Sequence, residues 1–143
     1  MVLLAKDIVE KGFLSLQRGL TALEAAKRMK SSNHGFAVIV DEGGNPQGIV
    51  TEWDYLSKLV AEGKDPSGVK LEEIMSVNLV TVDADDGIDV VSQIMSQRGI
   101  RRVLVIQKGK VLGVITARTV LSRLKEYVDR VSSQIARLQA PSF

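Results

Sequence analysis

The 143-residue chain contains no cysteine and a single histidine. The first absence excludes disulfides, a thiol nucleophile and a zinc–thiolate centre. The second leaves His34 as the only imidazole, so a Ser-His-Asp arrangement would have to be assembled around it, and a zinc site would be short of ligands. Long apolar runs are also missing. The longest, such as Phe36-Ala-Val-Ile-Val40, are far too short to span a bilayer, and the N-terminus lacks the apolar core of a signal peptide. Charge of one sign is scarce: 19 basic and 17 acidic residues leave a net +2, which by itself would not attract nucleic acid. Anion binding would need local clustering. These absences lead us to expect a cytoplasmic protein with no membrane partner, no catalytic residues and no metal.

What the chain does have is repetition. Gly48-Ile-Val-Thr-Glu-Trp-Asp54 returns as Gly113-Val-Ile-Thr-Ala-Arg-Thr119, an offset of 113 − 48 = 65. Upstream, Ile8 matches Ile74, Leu16 matches Val82 and Met29 matches Met95, all at an offset of 66, so one residue is lost in the turn between. Half of the chain is thus a structural unit, and the fold is a pair of units. At 45% hydrophobic residues the whole can bury one core, whereas either half alone would be marginal.

One unit reads as a short strand, a helix, a hairpin and a helix. Leu20, Leu23, Ala26 and Met29 recur at helical spacing, and Thr21 with Glu24 resembles a capping box, which predicts a helix over 20–30. Ala37–Val40 and Gly48–Thr51 flank a turn rich in Gly, Asn and Pro, the pattern of a hairpin with both strands largely buried. Leu56, Leu59 and Val60 then predict a second helix. The second copy repeats the order, with a helix over 87–97, strands over 103–106 and 111–116, and a helix after Thr119. The predicted class is α/β in the α+β sense: two pseudo-twofold-related β-α-β-β-α repeats over 1–66 and 67–125, with a linker at Glu62–Gly68. Residues 126–143 form a C-terminal helical extension. There Leu121, Leu124, Val128, Val131, Ile135 and Leu138 alternate by three and four, an apolar seam that Pro141 should end. Two readings of the seam stay open: packing on its own domain, or contact with a second copy.

The repeated motif resembles the cystathionine β-synthase (CBS) domain, which occurs in tandem pairs. The family pattern is Gly, apolar, any, Ser or Thr, two of any kind, then Asp. Gly48, Ile49, Thr51 and Asp54 fit it throughout; Gly113, Val114 and Thr116 fit, but Thr119 stands where the Asp belongs. The resemblance implies a disk with two clefts between the repeats and a sensing role, with AMP, ADP, ATP or S-adenosylmethionine as regulatory ligand and no catalytic cofactor. By that analogy the first cleft uses Gly35, Phe36, Ile49, Thr51, Trp53 and Asp54, facing Asp86, Val91, Ile100 and Arg101. The second uses Arg101, Arg102, Val114, Thr116, Arg118 and Thr119, facing Leu20, Ala25, His34 and Gly35.

The residues give this a chemical basis. A ribose presents two adjacent hydroxyl donors, which a fixed carboxylate such as Asp54 can accept together. The alternative for Asp54 is a plain helix cap, and for Thr51 a strand-end hydroxyl bonded to backbone; the family match favours the ligand role for Asp54. Trp53 can stack on a base or pack against protein. Arg101, Arg102 and Arg118 can hold phosphate or remain solvated surface. The first cleft is thus suited to ribose, as the principal nucleoside site, and the second to phosphate groups or a weaker second nucleotide. Asp83–Asp89 superficially suggests a calcium loop, but its twelfth position is Ile94 rather than Glu, so these acids read as helix N-terminal residues. Asp86 in the first cleft would favour a ligand with few phosphates. A homodimer is expected. A second reading is an interaction scaffold that uses the dimer surface and C-terminal helix toward an effector protein, with vestigial clefts. Nucleic-acid binding through Arg123, Arg130 and Arg137 is weakly supported.

Overall fold

The computed structural model describes residues 3–139. Each repeat builds a three-stranded sheet: β1 (Ser15–Gln17), β2 (Phe36–Val40) and β3 (Pro46–Thr51) in the first, β4 (Thr81–Asp83), β5 (Arg102–Gln107) and β6 (Lys110–Thr116) in the second. The central strand pairs parallel with the first and antiparallel with the third. The parallel pair requires a crossover, supplied by α2 (Ala22–Ser32) and α4 (Ile88–Arg98). The Thr21 hydroxyl accepts the Glu24 N–H at 3.1 Å and the Glu24 carboxylate accepts the Thr21 N–H at 2.9 Å, the expected capping box. Asn33 and Gly99 end the two helices in the left-handed conformation.

Both faces of the central strands are buried, which is why β2 and β5 read as apolar runs without alternation. Ala37 and Ile39 face the first repeat's helix, with Leu16, Met29 and Val50. Val103 and Val105 do the same in the second, with Val82, Val91 and Ile115. The opposite faces meet at the centre of the molecule, where Phe36 and Val38 pack on Leu104 and Val114.

The cores do not follow the linear division of the chain. Ala5 and Ile8, in α1 (Ala5–Ile8), are buried in the second repeat's core, whereas Leu71, Ile74 and Met75 are buried in the first's. The crossings are symmetric: Glu10 bridges Val114 as Ser76 bridges Ile49, and Leu4 bridges Gly87 as Thr21 bridges Lys70. The motif glycines exist for this crossing. A Cβ on Gly48 would press on Met75 Sδ at 2.7 Å and the Ser76 carbonyl at 3.0 Å, and one on Gly113 would run into Val9 and the Glu10 carbonyl.

After Thr51 the chain turns into α3 (Glu52–Tyr55), which loosens into a π turn over Leu56–Val60. The second repeat's final helix and the predicted extension are one element, α5 (Ala117–Gln139). Val120 packs on the second core and Arg123 donates to the Asp7 carbonyl at 3.3 Å, but no residue of α5 is buried. Packing of the whole seam on its own domain is therefore not what the fold does: Leu121 is 64% exposed, Val128 50% and Leu138 86%. The reason is reach, since 23 helical residues extend about 34 Å and only the first turns lie beside α1 and β6. Pro141, expected to end the helix, lies outside the described residues. Among those residues no helix is long and apolar enough to cross a membrane.

Candidate functional site: two unequal clefts between the repeats

Each cleft opens where a strand gives way to a helix in one repeat, beside the loop that leads from helix to central strand in the other. In the first, Ile49, Thr51 and Trp53 face Ile100, Arg101 and Arg102 across a cavity of about 350 Å³. Ser76, Asn78, Leu79 and Val80, from the connection between the repeats, complete the wall. The surface is mainly apolar, with Trp53 at its edge and 68% exposed.

Asp54 does not line this cavity and is 7% exposed. Its Oδ2 accepts the Thr51 N–H at 2.8 Å and the Thr51 hydroxyl at 3.2 Å, while Oδ1 pairs with Lys58 Nζ at 2.9 Å. Lys58 also donates to the Ile74 carbonyl at 2.7 Å, tying the network to the crossing segment. A carboxylate has about four lone-pair sites, so Asp54 keeps roughly one open, and the Thr51 hydroxyl is the partner free to turn outward. The adjacent Tyr55 phenol donates to the Ala22 carbonyl at 2.7 Å, and burial, then the Asp54 charge, push its pKa up to about 12.

Four residues anticipated for the first cleft stand elsewhere. Gly35 and Phe36 line the second cleft. Val91 is fully buried in the second repeat's core, on the inner face of α4. Asp86 closes its own turn ahead of α4, its carboxylate accepting the Asp83 N–H at 2.8 Å and its carbonyl the Ala5 N–H at 2.7 Å.

The second cleft, about 440 Å³, brings together His34, Arg101, Arg102, Thr116 and Arg118, with Glu10 and Glu52 on the same wall. Of the other anticipated residues, Ala25 is fully buried in the first core, Leu20 packs against that core, and Val114 is fully buried at the centre. Thr119 sits at the rim of the helix start. Its N–H donates to the Thr116 hydroxyl at 3.2 Å, and its own hydroxyl donates to Glu10 Oε1 at 2.5 Å. The Arg102 guanidinium lies over the Phe36 ring, 4.7 Å from its centroid. Burial lowers the Arg102 pKa from its usual value; nearby Glu52 opposes that and Arg101 adds to it. A guanidinium remains charged under such a shift. His34 Nε2 is 2.8 Å from the Gly12 carbonyl, which can only accept, so Nε2 carries a proton. Nδ1 is buried and has no hydrogen-bond partner among the described residues.

Sequence reasoning missed Glu10, Glu52, Ser76 and the 78–80 connector. The one available signal was the repeat offset, which pairs Glu10 with Ser76 (10 + 66 = 76) and so puts them in equivalent places. Among the described residues no group of His, Asp and Glu is arranged to hold a metal ion.

The family model of the CBS domain matches residues 5–61 and 71–126, one match per repeat. L-aspartate semialdehyde sulfurtransferase of Methanocaldococcus jannaschii is 35% identical over 124 residues, covering 86% of this chain and 23% of that protein. The chain spans between 23% and 61% of the length of three curated relatives, from Methanopyrus kandleri, M. jannaschii and Methanococcus vannielii. Among solved structures, the CBS domain pair of protein MJ0100, in complex with 5′-methylthioadenosine and S-adenosyl-L-methionine, is 34% identical with a TM-score of 0.76, covering 88% of this chain and 98% of that one. A CBS domain protein of Pyrobaculum aerophilum complexed with AMP is 26% identical with a TM-score of 0.74, covering 82% and 89%.

Proposed function

The chain belongs to the CBS domain family, as a tandem pair of repeats, and from that membership we propose that it is a cytoplasmic regulatory module that binds an adenosine ligand between its repeats. The observation that carries the reading is the make-up of the clefts: each draws a strand-end threonine from one repeat and a helix-to-strand loop from the other. A ligand seated there touches both halves at once. The complexes of related pairs with AMP and with S-adenosyl-L-methionine support the choice of ligand class.

In this reading the first cleft is the principal nucleoside site. Ile49, Leu79, Val80 and Ile100 offer a purine an apolar wall, Trp53 a stacking surface, and Asp54 with the Thr51 hydroxyl the means to meet a ribose. The second cleft, with its three arginines, receives phosphate. The module has a regulatory rather than a catalytic role. Calorimetric titration with AMP, ATP and S-adenosylmethionine tests this: tight binding of one, weakened by Asp54→Ala, is expected. Unchanged affinity in that variant would remove Asp54 from the site.

The exposed seam of α5 favours a second, compatible reading. Leu124, Val128 and Ile135 are each about half exposed at heptad spacing, which suits a helix from a second copy or an effector protein. We take the homodimer as its first use.

A further inference from the structure

The two repeats carry their cleft carboxylate in different places. In the first, Asp54 follows the strand end and the crossing segment supplies the short Ser76. In the second, Thr119 takes the position of Asp54 (54 + 65 = 119) and the crossing segment supplies Glu10. We propose that Glu10 is the sugar-binding carboxylate of the second cleft. That cleft then takes a whole nucleoside phosphate, its ribose diol on Glu10 and its phosphate on the arginines, rather than a phosphate group alone. The inference rests on the adenosine-ligand reading above.

Three observations support it. First, Glu10 is held in place. Its backbone exchanges two hydrogen bonds of 2.9 Å with Val114, and Gly113 leaves the room that this close approach needs. Second, its carboxylate is available. Asp54 is buried and engaged by Thr51 and Lys58, whereas Glu10 is exposed, lines the cleft and accepts from the Thr119 hydroxyl alone among the described residues. It also makes no ion pair among those residues although three arginines share its wall, so neutralising an arginine is not its work. Third, the chemistry divides cleanly. Two adjacent sugar hydroxyls donate to a carboxylate, and guanidinium forks donate to phosphate oxygens. Counting Arg101, Arg102 and Arg118 against Glu10 and Glu52, the wall carries 3 − 2 = +1, which favours a ligand with one or two phosphates over three.

The test is titration calorimetry of the full chain with AMP, 2′-deoxy-AMP and inorganic phosphate, with Trp53 fluorescence reporting the first cleft separately. Wild type should bind two AMP, and the site silent to Trp53 should prefer AMP to its 2′-deoxy form by about tenfold or more. Glu10→Gln should weaken that site by about 10- to 100-fold, the worth of hydrogen bonds to a charged acceptor, and abolish its ribose preference. The site read by Trp53 should be unchanged. A melting curve establishes that the variant is folded, and the ribose preference of wild type requires no variant at all. Absence of that preference, equal affinity in Glu10→Gln, or a single AMP per chain at the Trp53-reported cleft would overturn the role of Glu10 while leaving the adenosine reading intact. Failure of any adenosine compound to bind either cleft would overturn both.

Discussion

Replacing Ile8 by alanine should damage the second repeat, although Ile8 lies in sequence within the first. The side chain is 4% exposed and packs in the core that contains Val82, Val91 and Ile115. Alanine removes three carbons; at about 0.8 kcal/mol each for transfer, plus a cavity term, the loss comes to about 3 kcal/mol. For a chain of this size that is a fall of roughly 6 to 12 °C in the unfolding midpoint. Ile74→Ala, at a site 2% exposed, should cost the same while striking the first repeat. Urea denaturation measures the total, and native-state amide exchange locates it. In Ile8→Ala the amides of β4, β5 and β6 should lose more protection than those of β1, β2 and β3, with the order reversed in Ile74→Ala. If each substitution loosened its own covalent repeat, or if Ile8→Ala cost less than about 1 kcal/mol, the symmetric crossing described above would be refuted.

Gly113→Ala places a methyl against Val9 and the Glu10 carbonyl and should cost about 1 to 3 kcal/mol; an unchanged melting curve would show that the approach is looser than described. Because the Tyr55 phenol has a folded pKa of about 12 against an ordinary 10.0, its contribution to stability is intact below pH 10 and is lost as pH rises toward 12. Ultraviolet phenolate titration of wild type and Tyr55→Phe should show that late step disappear. Val128→Glu puts a charge on the α5 seam; sedimentation is expected to give a dimer for wild type and a monomer for the variant, with the stability of the body changed by less than about 0.5 kcal/mol. A persistent dimer would move the interface elsewhere.

Much of the fold was legible because it is local. Thr21 and Glu24 start a helix within one turn, and Ala37–Val40 with Gly48–Thr51 form a hairpin over a short loop, so composition and spacing suffice. The inequality of the two copies was legible too, since Asp54 against Thr119 and Trp53 against Arg118 are read directly from the repeat. The crossing was not. Residues 3–10 are too few to show a period, and their partners, near 84–87 and 114, lie far along the chain. Glu10 was missed for the same reason, because a carboxylate acquires a role only from what the fold sets beside it. Val91 and Ala25 show the converse: alignment to a family marks positions near a cleft, whereas helix periodicity turned both side chains into the cores.

The crossing also sets an order of events during synthesis. The first repeat's core waits for Leu71, Ile74 and Met75, so it closes only after the connection to the second has been made. Residues 5–10 wait longer, until β6 ends at Thr116, an interval of 116 − 10 = 106 residues. At ordinary rates of translation that is on the order of 10 s. Throughout it Ile8 and Val9 emerge ahead of their partners. The segment that carries Glu10 thus docks only after β6 has been made, so the second cleft is the later of the two to be completed.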